Sequence, residues 1–130
     1  MLEYEKNLTT NRRIELFDGL MKDKISNEFY DWLIKNGFFT QAASTKYHGA
    51  YEGGLFDHSY EVTQVLLDMT QRLNLQWKRP ESPYIIGMFH DLCKIDNYIT
   101  IVDEPGEIMM GTGDAKGREI HFEYNSNCIL

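Results

Sequence analysis

Residues 82–96 read SPYIIGMFHDLCKID. Ser82 is placed to cap a helix and Pro83 to open it, because the first helical position has no N–H bond for a proline to lose. At about 100° per residue, Ile85, Ile86, Met88, Phe89, Leu92, Cys93 and Ile95 fall on one broad apolar arc. His90, Asp91 and Lys94 share the narrow arc that remains, with Gly87 among them one turn earlier. The stretch predicts a mostly buried helix with one chemically loaded face. A carboxylate such as Asp91 is costly to bury without a partner, so that face is expected to meet something. The glycine leaves room beside it for another group to approach.

Outward toward the amino terminus, a long helix is predicted from Leu55 to Leu75. Leu55, Val62, Val65, Leu66, Met69 and Leu73 form its core-facing stripe, and His58 falls inside that stripe. Before it, Phe38 to Gly54 reads FFTQAASTKYHGAYEGG, aromatic, glycine-rich and aperiodic, as an ordered functional loop would be. Two scaffold helices precede the loop. One runs from Asn11 to about Asp23, with Asn11 as cap and Ile14, Leu16, Phe17, Leu20 and Met21 recurring at helical spacing. The other is capped by Ser26 or Asn27, carries Phe29, Trp32 and Leu33, and ends at Gly37.

Beyond residue 96 the pattern changes. Tyr98–Val102 is β-branched and aromatic, 104–107 reads as a turn, and 118–124 alternates polar and apolar residues, which together predict a small antiparallel hairpin. The expected architecture is therefore a single mainly α domain over residues 1–130: a helical core at 1–96 and a hairpin and loop tail at 97–130. The chain's 130 residues with 42% hydrophobic content suit one packed core. Its net charge of −7 and the absence of a basic stripe argue against duplex nucleic acid. No apolar run approaches the roughly 18 residues of a membrane span, and the first residues lack a secretory layout. Cys93 and Cys128 imply no disulfide framework, so a cytoplasmic location with reduced thiols is expected.

His58, His90 and Asp91 are the sharpest chemical constellation. Two imidazoles and a carboxylate suit a divalent transition metal, and three protein ligands leave positions open for water or substrate. Such an ion makes water a usable nucleophile near neutral pH and polarises a phosphoryl oxygen. Side chains of adjacent helical residues point about 100° apart, so the His-Asp pair needs a third ligand from a neighbouring helix. His58 is the available candidate. The same spacing also fits a hydrogen-bonded core histidine, and Lys94 and His48 taken alone fit a solvated helix residue and a loop hydrogen-bonding residue. A purely helical interaction protein would leave the shared face of His90, Asp91 and Lys94 without a reason.

The segments AASTKYHGAYEGGLFDHS (42–59) and IIGMFHDLCKID (85–96) together resemble the HD-domain superfamily of metal-dependent phosphohydrolases. The likeness is greatest to its bacterial and phage branch and covers roughly residues 38–96. It implies an HD-domain-like helical bundle in which His58 is the first metal ligand and His90 and Asp91 are the signature pair. It also implies that Asp91 can bridge two ions, that Lys94 faces the substrate phosphate, and that His48 contacts phosphate or assists the leaving group. The cofactor it implies is a divalent ion: manganese, iron, nickel, cobalt, zinc or magnesium. The partner it implies is a small phosphorylated substrate, a nucleotide or another phosphate ester.

The family signature closes with an aspartate on a later helix, and here only Asp103, Asp114 and His121 remain as candidates, all in hairpin or loop sequence. The chain thus reads as a shortened relative or a truncated product, with a non-catalytic metal-binding or regulatory module as the alternative function. An uncovered apolar helical face would favour homo-oligomers.

Overall fold

A computed structural model describes residues 8–44 and 50–95 and, for the backbone, 96, 98–102 and 120–124. It is mainly helical. Helix α1 spans Thr10–Met21, α2 Asn27–Lys35, α3 Gly54–Arg72 and α4 Ser82–Phe89, followed by a 3₁₀ helix at Leu92–Asp96. The backbone of Tyr98–Val102 (β1) pairs antiparallel with that of Ile120–Tyr124 (β2), Tyr98 opposite Tyr124 and Val102 opposite Ile120. No helix among the described residues is long and apolar enough to cross a membrane.

The caps follow from side-chain oxygens that meet the first free amides. Thr9, rather than the expected Asn11, caps α1, its hydroxyl accepting from the Arg12 amide at 3.1 Å. Ser26 caps α2 in the same way through the Phe29 amide at 3.1 Å. Gly37 follows α2 with φ +84°, the left-handed backbone that glycine adopts without steric cost.

The core is aromatic. Phe17, Phe38, Phe56, Met21, Leu33, Leu55 and Met88 are fully buried, with Phe39 close to it. Phe17 meets Phe39 edge-on with centroids 5.2 Å apart, and Phe38 meets Phe56 edge-on at 6.2 Å. Such pairs each add about 0.5–1.5 kcal/mol beyond their burial. The described start of the loop is ordered by this core: Phe38, Phe39, Ala42 and Ala43 are buried. Its backbone also ties onto the start of α3, through Gly53 N–H to Thr40 O at 3.1 Å and Leu55 N–H to Gln41 O at 2.9 Å.

Expectations for α3 and for residues 82–96 need correction. The buried face of α3 is Leu55, Phe56, Ser59 and Thr63, turned around the helix from the predicted stripe, of which Leu55 alone is buried, Val62 and Leu66 are half-buried, and Val65, Met69 and Leu73 are exposed. The reason is that α4 meets α3 at Thr63, where Gly87 lies against it, so the side of α3 that carries Thr63 is buried and Val65 and Met69 are left facing solvent. The predicted continuous helix over 82–96 is also interrupted. The α-helix ends at Phe89, and the backbone tightens to 3₁₀ hydrogen bonding with Lys94 N–H to Asp91 O at 2.9 Å. Glu81 rather than Ser82 is the N-cap residue, and Ile86 and Cys93 are exposed instead of joining the buried arc.

Candidate metal centre

Helices α3 and α4 touch through Gly87 and Thr63. A Cβ built on Gly87 would lie 2.6 Å from Thr63 Oγ1 and 2.7 Å from its Cα, so only glycine permits this approach. Thr63 is itself fully buried and donates to the Ser59 carbonyl at 2.7 Å. The contact sets the distance between the two histidines, which lie on opposite sides of the seam. His58 comes from the second turn of α3 and His90 from the residue that follows α4, and their ring centroids are 5.3 Å apart.

Both rings aim at one carboxylate oxygen. His58 Nε2 lies 3.2 Å, and His90 Nε2 3.3 Å, from Asp91 Oδ2. The His90 Nδ1 is 2.8 Å from the Gly87 carbonyl, which can only accept, so Nδ1 carries the proton. In the neutral ring Nε2 then presents a lone pair to an oxygen that also has only lone pairs. A proton on one nitrogen relieves part of this repulsion, but a cation at the meeting point satisfies all three atoms together.

The spacing fits such an ion. A metal about 2.1 Å from each donor separates neighbouring ligand atoms by about 3.0 Å at right angles, or about 3.4 Å in a tetrahedron. The observed 3.2 and 3.3 Å fall between these, and the three ligand atoms all lie within 4.8 Å of one another. His58, His90 and Asp91 can therefore hold a metal ion, and they are the only such group among the described residues. Their side chains are 36, 31 and 21% exposed, so the centre opens to solvent rather than being sealed. Adjacency does not stop the His-Asp pair from sharing a point. The Gly87 hydrogen bond turns the His90 ring back along the helix, and the backbone changes type at Asp91.

Lys94 joins this group. Its Nζ is 3.6 Å from Asp91 Oδ2 and donates to the Ala43 carbonyl at 3.2 Å, tying the buried loop start to the metal centre. Gln41 makes a second tie, donating to the Ile95 carbonyl at 2.8 Å. His48, Asp103 and Asp114 lie outside the described residues, as does the side chain of His121.

A cluster beside the centre was not anticipated. Arg13 of α1 is buried and grips Asp57 with two parallel hydrogen bonds, Nε to Oδ1 at 2.8 Å and Nη2 to Oδ2 at 3.1 Å. Tyr51 donates to Asp57 Oδ2 at 2.7 Å. Partial burial, and then this hydrogen bond, raise the Tyr51 phenol above its ordinary range and keep it protonated. The cluster pins the residue just before His58 and so fixes the first turn of α3, where a carboxylate also suits the positive helix terminus. Gly53, at φ +88°, lies against the Arg13 guanidinium so closely that any Cβ there would collide with it. The double glycine at 53–54 and the adjacent Asp57-His58 are the local signals from which a fixed helix start can be read. Nothing in the spacing pointed to Arg13, which is 44 residues away from its partner.

No protein-family model, curated protein or solved structure matches the chain.

Proposed function

We propose that this protein is a metal-dependent phosphohydrolase of the HD type, acting on a nucleotide or another phosphate ester. The observation that carries the reading is the convergence of His58 Nε2 and His90 Nε2 on a single oxygen of Asp91. When bound there, a divalent ion supplies Lewis acidity, making water a better nucleophile and polarising a phosphoryl oxygen. The protein's own groups do the rest. The Gly87 carbonyl holds His90 in the tautomer whose Nε2 can coordinate. Asp91 supplies the anionic ligand. Lys94, anchored on Ala43 O, offers an ammonium beside Asp91 to the charge that develops on a phosphoryl group. His48 is assigned to the phosphate or leaving group by the resemblance of its loop.

The test is phosphate release from a broad panel of nucleotides and simple phosphate esters after loading with manganese, cobalt, nickel, zinc, iron or magnesium in turn. Metal-dependent release that disappears in His90→Ala is the expected result. Metal bound at one equivalent with no release from any ester would overturn it. That result would favour a non-catalytic metal-binding or regulatory module, a reading supported by one observation: among the described residues three side chains, not four, supply ligand atoms.

A further inference from the structure

A cavity of about 780 Å³ opens from the metal centre along the seam between α3 and α4. Its volume lies within the range of small-molecule sites, and its two ends differ in chemistry. His58 and His90 form one end, with Tyr51 and Asp57 beside them. Val62, Val65, Leu66 and Met69 of α3 and Ile86 of α4 form the other. Val65, Met69 and Ile86 are 40, 46 and 52% exposed, so large apolar side chains face solvent at the groove. The run from Val62 to Met69 gives this apolar floor a length of about 10 Å along the helix. Gly87, packed against Thr63, lines the groove together with the histidines and the apolar residues.

Charge narrows the ligand further. Among the described residues, the lining includes the acids Asp57 and Glu61 and no lysine or arginine. Lys94 reaches the same Asp91 oxygen and is tied to the Ala43 carbonyl, and it does not line the groove. Among the described residues, a ligand entering the groove therefore meets cationic character only at the candidate metal centre and the Lys94 beside it. Any second or third phosphate extending along α3 would run against acids and hydrocarbon instead.

We infer that the groove holds the apolar organic group of a phosphate monoester, with its single phosphoryl group at His58, His90 and Asp91. This rests on the phosphohydrolase reading and narrows its substrate class to alkyl or aryl phosphate monoesters in preference to polyphosphates. Hydrolysis of such an ester breaks the P–O bond to the alcohol. A water oxygen joins phosphorus, and a water proton goes to the departing alcohol.

The experiment is calorimetric titration of the cobalt-loaded protein with ethyl-, butyl- and octylphosphonate, which bind without being hydrolysed, alongside adenosine triphosphate. Affinity is expected to rise by about fourfold per buried methylene, and octylphosphonate to exceed the triphosphate. Val65→Arg and Ile86→Arg, both at exposed positions that a folded chain tolerates, are expected to flatten the series and leave cobalt stoichiometry at the wild-type value. Equal affinity across the series, or no binding of any phosphonate, overturns the inference. So does a flat series accompanied by a concentration-dependent dimer that Val65→Arg dissolves, which would give the groove to a second copy of the chain. A rising series without hydrolysis of the matching alkyl phosphates upholds the groove assignment and sinks the hydrolase reading instead. Hydrolysis indifferent to chain length does the reverse.

Discussion

Asp91 receives three nitrogen-bearing side chains on the same oxygen: His58, His90 and Lys94 at 3.2, 3.3 and 3.6 Å. Asp91→Asn keeps the shape and removes the anion. The expected outcome is a loss of metal affinity of about 100-fold or more, since even supporting residues around a metal contribute roughly 10–100-fold. Competition with a chromophoric chelator measures it. Without metal, the same variant should change stability by no more than about 0.5 kcal/mol, because the group is partly solvated and exposed ion pairs contribute little. Tyr51 gives a second prediction. Its raised pKa means that the folded chain holds the phenolic proton more tightly than the unfolded chain. This contribution is complete below the ordinary value of about 10 and is lost as pH climbs toward the folded value. Tyr51→Phe should therefore lessen the fall in stability above about pH 10, read from urea midpoints across an alkaline series.

Gly87 decides how closely α3 and α4 approach. In Gly87→Ala the new methyl would lie 2.7 Å from the backbone of Thr63, which cannot swing aside as a flexible side chain would. Overpacking of this kind costs about 1–3 kcal/mol, seen as a lower denaturation midpoint. The same shift should separate His58 from His90, so metal affinity is expected to fall together with stability. A change in stability alone would mean that the seam does not set the ligand spacing. Gly53 plays a comparable part at the start of α3, where its left-handed backbone brings the chain against Arg13. That contact lets the guanidinium reach Asp57 in a paired geometry, which gives direction as well as charge neutralisation. The helix termini were legible beforehand where a capping hydroxyl stood beside a periodic run, as at Ser26. They were missed where a closer hydroxyl competed, as Thr9 did with Asn11.

For the molecule as a whole, metal binding should behave as a stabilising ligand. An ion that binds the folded chain alone, at a hundred times its dissociation constant, adds about 2.7 kcal/mol. For a domain of this size that is roughly a 10 °C rise in Tm. Scanning calorimetry with and without cobalt, followed by chelator, is expected to show the rise and its reversal; His90→Ala should show neither. The acidic balance of the chain, −7 at neutral pH, means that an anionic ligand would need a local cation at the centre to be received there.

Local pattern was enough for the mainly helical class, for the helices around Phe17, Leu33 and Leu55, and for the grouping of His58 with His90 and Asp91. These depend on periodicity, capping and ligand chemistry, which operate over a few residues. Tertiary structure alone decided which face of α3 is buried: the one carrying Phe56, Ser59 and Thr63, against which Gly87 packs. It therefore turned the supposed core stripe at Val65 and Met69 into an open apolar groove beside the metal centre. It also decided that Arg13 reaches Asp57 and that Gly87 sits against Thr63. Those contacts join segments far apart in the chain, and their geometry is set by how bulky groups fill the space between helices, which sequence spacing does not encode.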